Sequence, residues 1–351
     1  MPRRSGTRLL LALLIIASLT LAPAAAMARQ PADRGDTAPA MVFVTNPVAT
    51  SGNIFLTDAK DADSDELNGE RIAVTLTHLD GSGYLRGDYA IVVSSTGDPA
   101  FEPTGGYDYT RHDDRFEQVM AYYWVTQSEL YLRSLGFDGV TFAEVNADQQ
   151  RVRINQWGID NSFATTHPRD EMRFGKGGVD DAEDGDVILH ELGHQIHFSQ
   201  SEDFFGTLEA GAISEGFGDY WAFTVSKAVA AQLGLPPQLD EACIAKWDAT
   251  SYDSNPANGI CLRRIDAPLL YPGDLVGQVH ADGRIWSHAL YDLHIAIGQE
   301  HADTAILLAQ FDWVGSDMPG LAGRIVDAVD DQYGASEAAD AQAAFESRGI
   351  L

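Results

Sequence analysis

A chain of 351 residues is long enough for one large domain or two modest ones with a proper core. Its 52 acidic residues against 23 basic ones give a formal charge of −29, which speaks against nucleic acid and anionic membranes as partners. Lysine is confined to Lys60, Lys176, Lys227 and Lys246; such acidity fits either a surface adapted to salt or calcium sites in a secreted protein, and composition does not separate the two.

The first 28 residues read as a signal peptide. Arg3, Arg4 and Arg8 form a basic start, residues 9–21 an apolar run, and Ala26-Met27-Ala28 a cleavage pattern. The run is too short and wrongly flanked for a membrane span. An exported protein, extracellular or periplasmic and without membrane insertion, is therefore expected, with residues 29–39 as a flexible leader. In that oxidising compartment Cys243 and Cys261, the only cysteines, predict one disulfide, with two buried thiols as the alternative.

From residue 41 the pattern turns to strands. The runs 41–44, 72–76 and 89–93 are β-rich, with a turn at Asp80-Gly81-Ser82-Gly83, and predict a small antiparallel β region. The acidic stretch 58–66 reads as a solvated loop or as a cation site. Phe116, Met120, Tyr123, Leu130 and Leu135 form a helical stripe that Gly136 closes. Residues 140–143 and 152–155 are expected as strands. A glycine turn at 175–178 precedes Asp180-Asp181-Ala182-Glu183-Asp184-Gly185-Asp186, where acids favour the positive end of a following helix.

That helix carries Val187-Ile188-Leu189-His190-Glu191-Leu192-Gly193-His194-Gln195-Ile196-His197. Its HExxH spacing puts His190 and His194 one turn apart on one face, so both imidazoles can reach one zinc ion. Glu191 lies beside the metal rather than on it, placed to take a proton from an activated water. The apolar neighbours predict a buried helix, as a rigid metal site requires. A second segment, Ala210-Gly211-Ala212-Ile213-Ser214-Glu215-Gly216-Phe217-Gly218-Asp219-Tyr220-Trp221, sets Glu215 and Asp219 four apart among aromatics. Glu215 can complete a His-His-Glu set with a fourth position open, and Asp219 can fix the tautomer of a zinc histidine.

HELGH followed by GAISEGFGDYWA resembles the thermolysin-like and fungalysin-like zinc metallopeptidases, with SEGFGD closer to the fungalysin-like branch. Metzincins are disfavoured, since His197 and Gln200 stand where their glycine and third histidine belong. The resemblance implies further roles. Asn161, with Ser162 in place of an alanine, matches an edge-strand asparagine that holds the substrate like an added strand; a turn residue is the alternative. Arg263 in Leu262-Arg263-Arg264 matches an arginine that binds a substrate carbonyl, with an exposed arginine pair as the other reading. Asp186 matches a calcium-binding aspartate, but Ser226 replaces its partner glutamate, so Asp186 is expected first as a helix cap. His280 in Val279-His280-Ala281-Asp282-Gly283-Arg284-Ile285-Trp286 matches a histidine that donates to the oxyanion, while His288 reads as a packing residue.

Residues 290–297, 304–311, 321–333 and 335–347 are expected as helices. The fold expected from all this is α+β and two-lobed, of the zincin type. An N-terminal β-containing lobe, residues 40–200, ends in the zinc helix, and a mainly helical lobe, residues 201–351, carries Glu215. The function expected is a secreted zinc metalloendopeptidase acting on peptide or protein substrates. An aminopeptidase of the same class and a non-catalytic zinc module are the rivals. No aminopeptidase segment of GxMEN type is found, and a structural zinc has no use for Glu191.

Overall fold

The structure is a computed structural model. It describes residues 35–56, 62–93, 97–166, 169–201, 204, 206–252 and 260–351; the signal peptide, most of the leader and part of the 58–66 stretch lie outside these. Pro31–Leu351 make one compact unit.

Strand β1 (Ala38–Phe43) pairs antiparallel with β2 (Arg71–Leu76) over six residue pairs, Ala38 with Leu76 through Phe43 with Arg71. Two short helices lie between them. The Asn46 side chain caps α1 (Pro47–Ser51) and the Ser64 side chain caps α2 (Asp65–Gly69), so the end of the acidic stretch is helical rather than loop. The third β-rich run does not join this pair. As β3 (Ala90–Val92) it enters a second sheet with β4 (Gln150–Arg153), β5 (Phe163–Thr165) and β6 (Glu171–Arg173), in the order β3-β4-β6-β5. The β3–β4 and β4–β6 pairs are parallel and β5 is an antiparallel edge. The single antiparallel region expected from the sequence is thus corrected. Parallel neighbours need a long crossover, and helix α3 (Arg115–Ser134) supplies it between β3 and β4.

Helix α3 matches the predicted stripe, and Gly136 follows its end at φ +95°. Residues 140–143 are not a strand. The Asp138 carboxylate accepts from the backbone N–H of Val140 and Thr141 at 2.9 and 3.0 Å, and Gly136 and Gly139 both take positive φ. Such side-chain-to-backbone bonds close a tight loop in place of a ladder.

Helices α4 (Gly185–Gln200) and α5 (Leu208–Gln232) form the centre of the molecule, with Ile188, Leu192, Ile196, Phe217 and Trp221 fully buried. After α5, β7 (Cys243–Ile244) pairs antiparallel with β8 (Arg263–Arg264). The Cys243–Cys261 disulfide is formed beside that pair, its Cα atoms 5.5 Å apart. By the chain-entropy model a loop of this size contributes about 3 kcal/mol. Helix α6 (Val279–Ile297) begins at Val279 rather than near 290, because Gln278 caps it by accepting from Ala281 N–H at 2.6 Å. Helices α7 (Gln299–Gln310), α8 (Met318–Tyr333) and α9 (Ala335–Glu346) finish the chain.

Glycines let α4, α5 and α6 approach closely. A Cβ on Gly193 would stand 2.8 Å from the Gly218 Cα, and one on Gly216 would stand 2.3 Å from the Gly283 carbonyl oxygen. The main chains therefore touch where the chemistry-bearing side chains leave them.

Candidate metal centre and cleft

The start of α4 is fixed by Asp184, not by Asp186. The Asp184 carboxylate accepts from Asp186 N–H at 3.0 Å and from the Asn46 amide at 3.0 Å. Asp186 stands in the first turn, where its carboxylate accepts from Ala245 N–H at 2.9 Å and from the Ser226 hydroxyl at 3.1 Å. Its oxygens are thus spent on the backbone and on the serine that replaces a glutamate, and the cap role expected for Asp186 passes to Asp184.

One turn into α4, His190 and His194 face Glu215 on α5. His190 Nε2 lies 3.3 Å from Glu215 Oε2, and His194 Nε2 lies 3.7 Å from Glu215 Oε1. One ligand atom from each residue lies within 4.8 Å of the other two. A tetrahedral ion with bonds of about 2.0–2.1 Å needs donor pairs roughly 3.3 Å apart. His190 and Glu215 match that spacing and His194 stands close to it, so the three could hold such an ion, and buried Glu215 Oε2 has no hydrogen-bond partner of its own.

The outer ring nitrogens of both histidines are held. His190 Nδ1 is 2.9 Å from Asp219 Oδ1, one turn past Glu215 on α5. His194 Nδ1 is 2.8 Å from Ser214 Oγ, which also lies 3.1 Å from His197 Nδ1. A His194 that offers Nε2 to a metal carries its proton on Nδ1 and donates it to Ser214; the serine hydroxyl can then donate to His197. His197 is fully buried, stacked between Phe204 and Phe217 at 3.7 and 4.3 Å. Burial and the neighbouring His194 hold its pKa well below the usual value, so it stays neutral. Sequence reasoning missed Ser214. Its place in Ile213-Ser214-Glu215, one residue before the glutamate, was the available signal.

Glu191 is 6 % exposed and its Oε2 has no hydrogen-bond partner. Burial pushes its carboxyl up to about 7, with His190 opposing and Glu215 adding to the rise. The Glu215 carboxyl goes the other way. Burial would raise it, but His190, His194 and His280 hold it well below the ordinary range. Burial and Arg263 act to lower the pKa of His190, yet Asp219 and Glu215 bring it up to about 9. A divalent cation held at this point would balance the Glu215 carboxylate.

The other sequence-predicted residues come to the same place. A cleft of about 290 Å³ is lined by His190, Glu191, Asn161, Ser162, Arg263 and His280 among others. His280, in the first turn of α6, puts Nε2 3.3 Å from Glu215 Oε2 while its Nδ1 lies 2.9 Å from the Gln278 amide nitrogen. Arg263 is tied inward, its Nε donating to both Asp219 oxygens at 2.7 and 2.9 Å, with Nη2 3.3 Å from His190 Nδ1. Asn161 is exposed at the approach to edge strand β5, and the Ser162 hydroxyl donates to Asp181. His288 is buried away from the cleft, its Nδ1 on the Ala267 carbonyl and its Nε2 3.6 Å from Asp292. No helix among the described residues is long and apolar enough to cross a membrane.

No family model and no curated protein sequence matches this chain. Its fold is similar to that of a solved structure, the precursor of protealysin, a metalloproteinase from Serratia proteamaculans. The TM-score is 0.54 at 17% sequence identity, over 75% of this chain and 87% of that one. At that identity the likeness concerns the fold, which is mixed α+β with small sheets. It lends nothing to the narrower fungalysin-like branch expected from SEGFGD.

Proposed function

We infer that this protein is a zinc metalloendopeptidase, exported by the signal peptide read in residues 1–28 and folded as two lobes that flank the cleft. The observation that carries the reading is Glu191: a buried carboxyl with an unpartnered oxygen, beside a His190–His194–Glu215 donor set in an open cleft. The likeness to a metalloproteinase precursor supports it.

His190, His194 and Glu215 would hold a zinc ion, which when bound would supply Lewis acidity toward the scissile carbonyl and toward a water molecule. The chain's own residues do the rest. Glu191 takes the proton of the attacking water and passes it to the amine that leaves. His280 donates an N–H toward the oxygen on which negative charge develops. Asp219 and Ser214 hold the ring orientations of His190 and His194. Arg263 and the Asn161–Ser162 edge position the peptide, the backbone of β5 offering it a strand-like partner. Asp186 is not assigned to calcium, since its carboxylate is committed to Ala245 and Ser226.

The full mature chain, supplied with zinc, is expected to cleave an internally quenched peptide blocked at both ends, to stop when a chelator is added, and to resume with zinc. An aminopeptidase and a non-catalytic zinc module would both leave that peptide intact, and an intact peptide rejects the reading.

His280 tests the finer assignment. A rigid donor matters most where charge appears only in the transition state. His280→Ala is expected to keep its zinc and most of its KM while kcat falls on the order of 10²–10³-fold. His288→Ala, which loses a buried ring bonded to the Ala267 carbonyl, is expected to lower thermal stability with little change in kcat. Zinc content and kinetics measured side by side decide; turnover lost in His288→Ala and kept in His280→Ala would reverse the two roles.

A further inference from the structure

The cleft that holds His190 and Glu191 has an acidic floor. Asp160, Asp181 and Asp248 line it, with one carboxylate oxygen from each within 4.8 Å of the other two. Asp181 and Asp248 are only 2% and 4% exposed. Asp181 Oδ2 is engaged by the Ser162 hydroxyl and by Gly175 N–H at 3.4 Å, but Asp181 Oδ1 and Asp248 Oδ1 are buried with no hydrogen-bond partner. Neither aspartate has an ion pair to lysine or arginine among the described residues. Burial first, and then the neighbouring carboxylates, push Asp181 up to about 8 and Asp248 far above its ordinary value.

Two orphaned carboxylate oxygens at the floor of a cleft are costly to bury unless the carboxyls take up protons, or positive charge and donors arrive from outside. The same cleft has aliphatic walls, Val187, Ile244 and Leu262. Apolar walls above an acidic floor match one kind of substrate group: a long methylene stem ending in a cation.

We propose that this floor is a specificity pocket for a lysine or arginine side chain of the substrate residue beside the scissile bond. The proposal rests on the peptidase reading. A resident calcium ion fits the pocket less well. Calcium takes six to eight oxygens, whereas Asp181 has one oxygen already committed and the walls supply carbon. An ammonium has three donors and a guanidinium five, and the three aspartates that line the floor offer several carboxylate oxygens to meet them.

The test digests a peptide mixture of mixed sequence with the zinc-loaded full chain, maps the cut sites by mass spectrometry, and then measures kcat/KM on matched blocked peptides. Lysine or arginine is expected at one position flanking the cut, favoured over leucine by about 10- to 100-fold, the scale of a hydrogen bond between charged groups. Asp181→Asn and Asp248→Asn, which keep the side-chain shape, are each expected to bring that ratio down toward one. Efficient cutting with leucine or phenylalanine at both flanks overturns the pocket assignment and leaves the peptidase reading standing. If no peptide is cut, the peptidase reading fails, and calorimetry on Glu191→Gln with the same blocked peptides still decides the pocket. At least tenfold tighter binding of the lysine peptide upholds it, and equal binding rejects it. Calcium binding that disappears in Asp181→Asn and Asp248→Asn, with no lysine preference in the unaltered chain, also rejects it.

Discussion

Glu191→Gln is expected to retain one zinc per chain and to lose peptide hydrolysis by about 10²–10⁴-fold, the usual contribution of a positioned general base. The substitution keeps the shape of a side chain that is 6 % exposed and removes only its capacity to accept a proton. The outer ring nitrogens of the donor histidines are held elsewhere, His190 by Asp219 and His194 by Ser214. Metal affinity should therefore be spared while kcat collapses. Metal analysis and kinetics on the same preparation make the check, and near-normal rates in Glu191→Gln would remove Glu191 from the mechanism.

Glu215→Ala is expected to do the reverse, emptying the site and taking hydrolysis to background with it. Glu215 is the one carboxylate in the set, and it sits against three imidazoles, those of His190, His194 and His280. Its loss leaves two neutral ligands and no anion on the cation. Changing a residue that only orients a ligand already costs 10–100-fold in metal affinity, so removal of a ligand should exceed that. Dialysis against a graded series of zinc buffers, with bound metal read after each, measures the shift. A Glu215→Ala protein that binds zinc like the unaltered chain would mean that the third ligand lies elsewhere.

The His190–His194–Glu215 cluster was legible in the sequence because its geometry is helical and local. A four-residue step on α4 and another on α5 each dictate a face, and only the docking of the two helices had to be supplied by the fold. The same locality made α3 readable from its stripe. What was not legible depended on distant partners or on turn chemistry. β3 has the composition of a hairpin strand, and only the position of α3 after it sends it to a parallel neighbour. Residues 140–143 are β-branched and aromatic enough for a strand, yet the Asp138 carboxylate and two glycines close them into a loop. Asp181 reads in the sequence as one more acid favouring the start of the following helix, since nothing in Asp180-Asp181-Ala182-Glu183-Asp184 says that the whole run is buried. Acidic residues are rarely placed so unless something charged comes to meet them.

The glycine contacts between α4, α5 and α6 carry a consequence for how far the candidate site can drift. The donors stand on two helices whose spacing is set by hydrogen atoms where side chains would be, at Gly193 against Gly218, and the helix that carries His280 is seated the same way at Gly216 against Gly283. One methyl group at any of these four positions would part the helices by a fraction of an ångström or more, in a centre whose ligand bonds tolerate only about 0.2 Å. Positions that never touch metal or peptide thus act as the gauge of the instrument: its tolerance is smaller than a carbon atom, and the parts that set it are those with nothing to contribute but their small size.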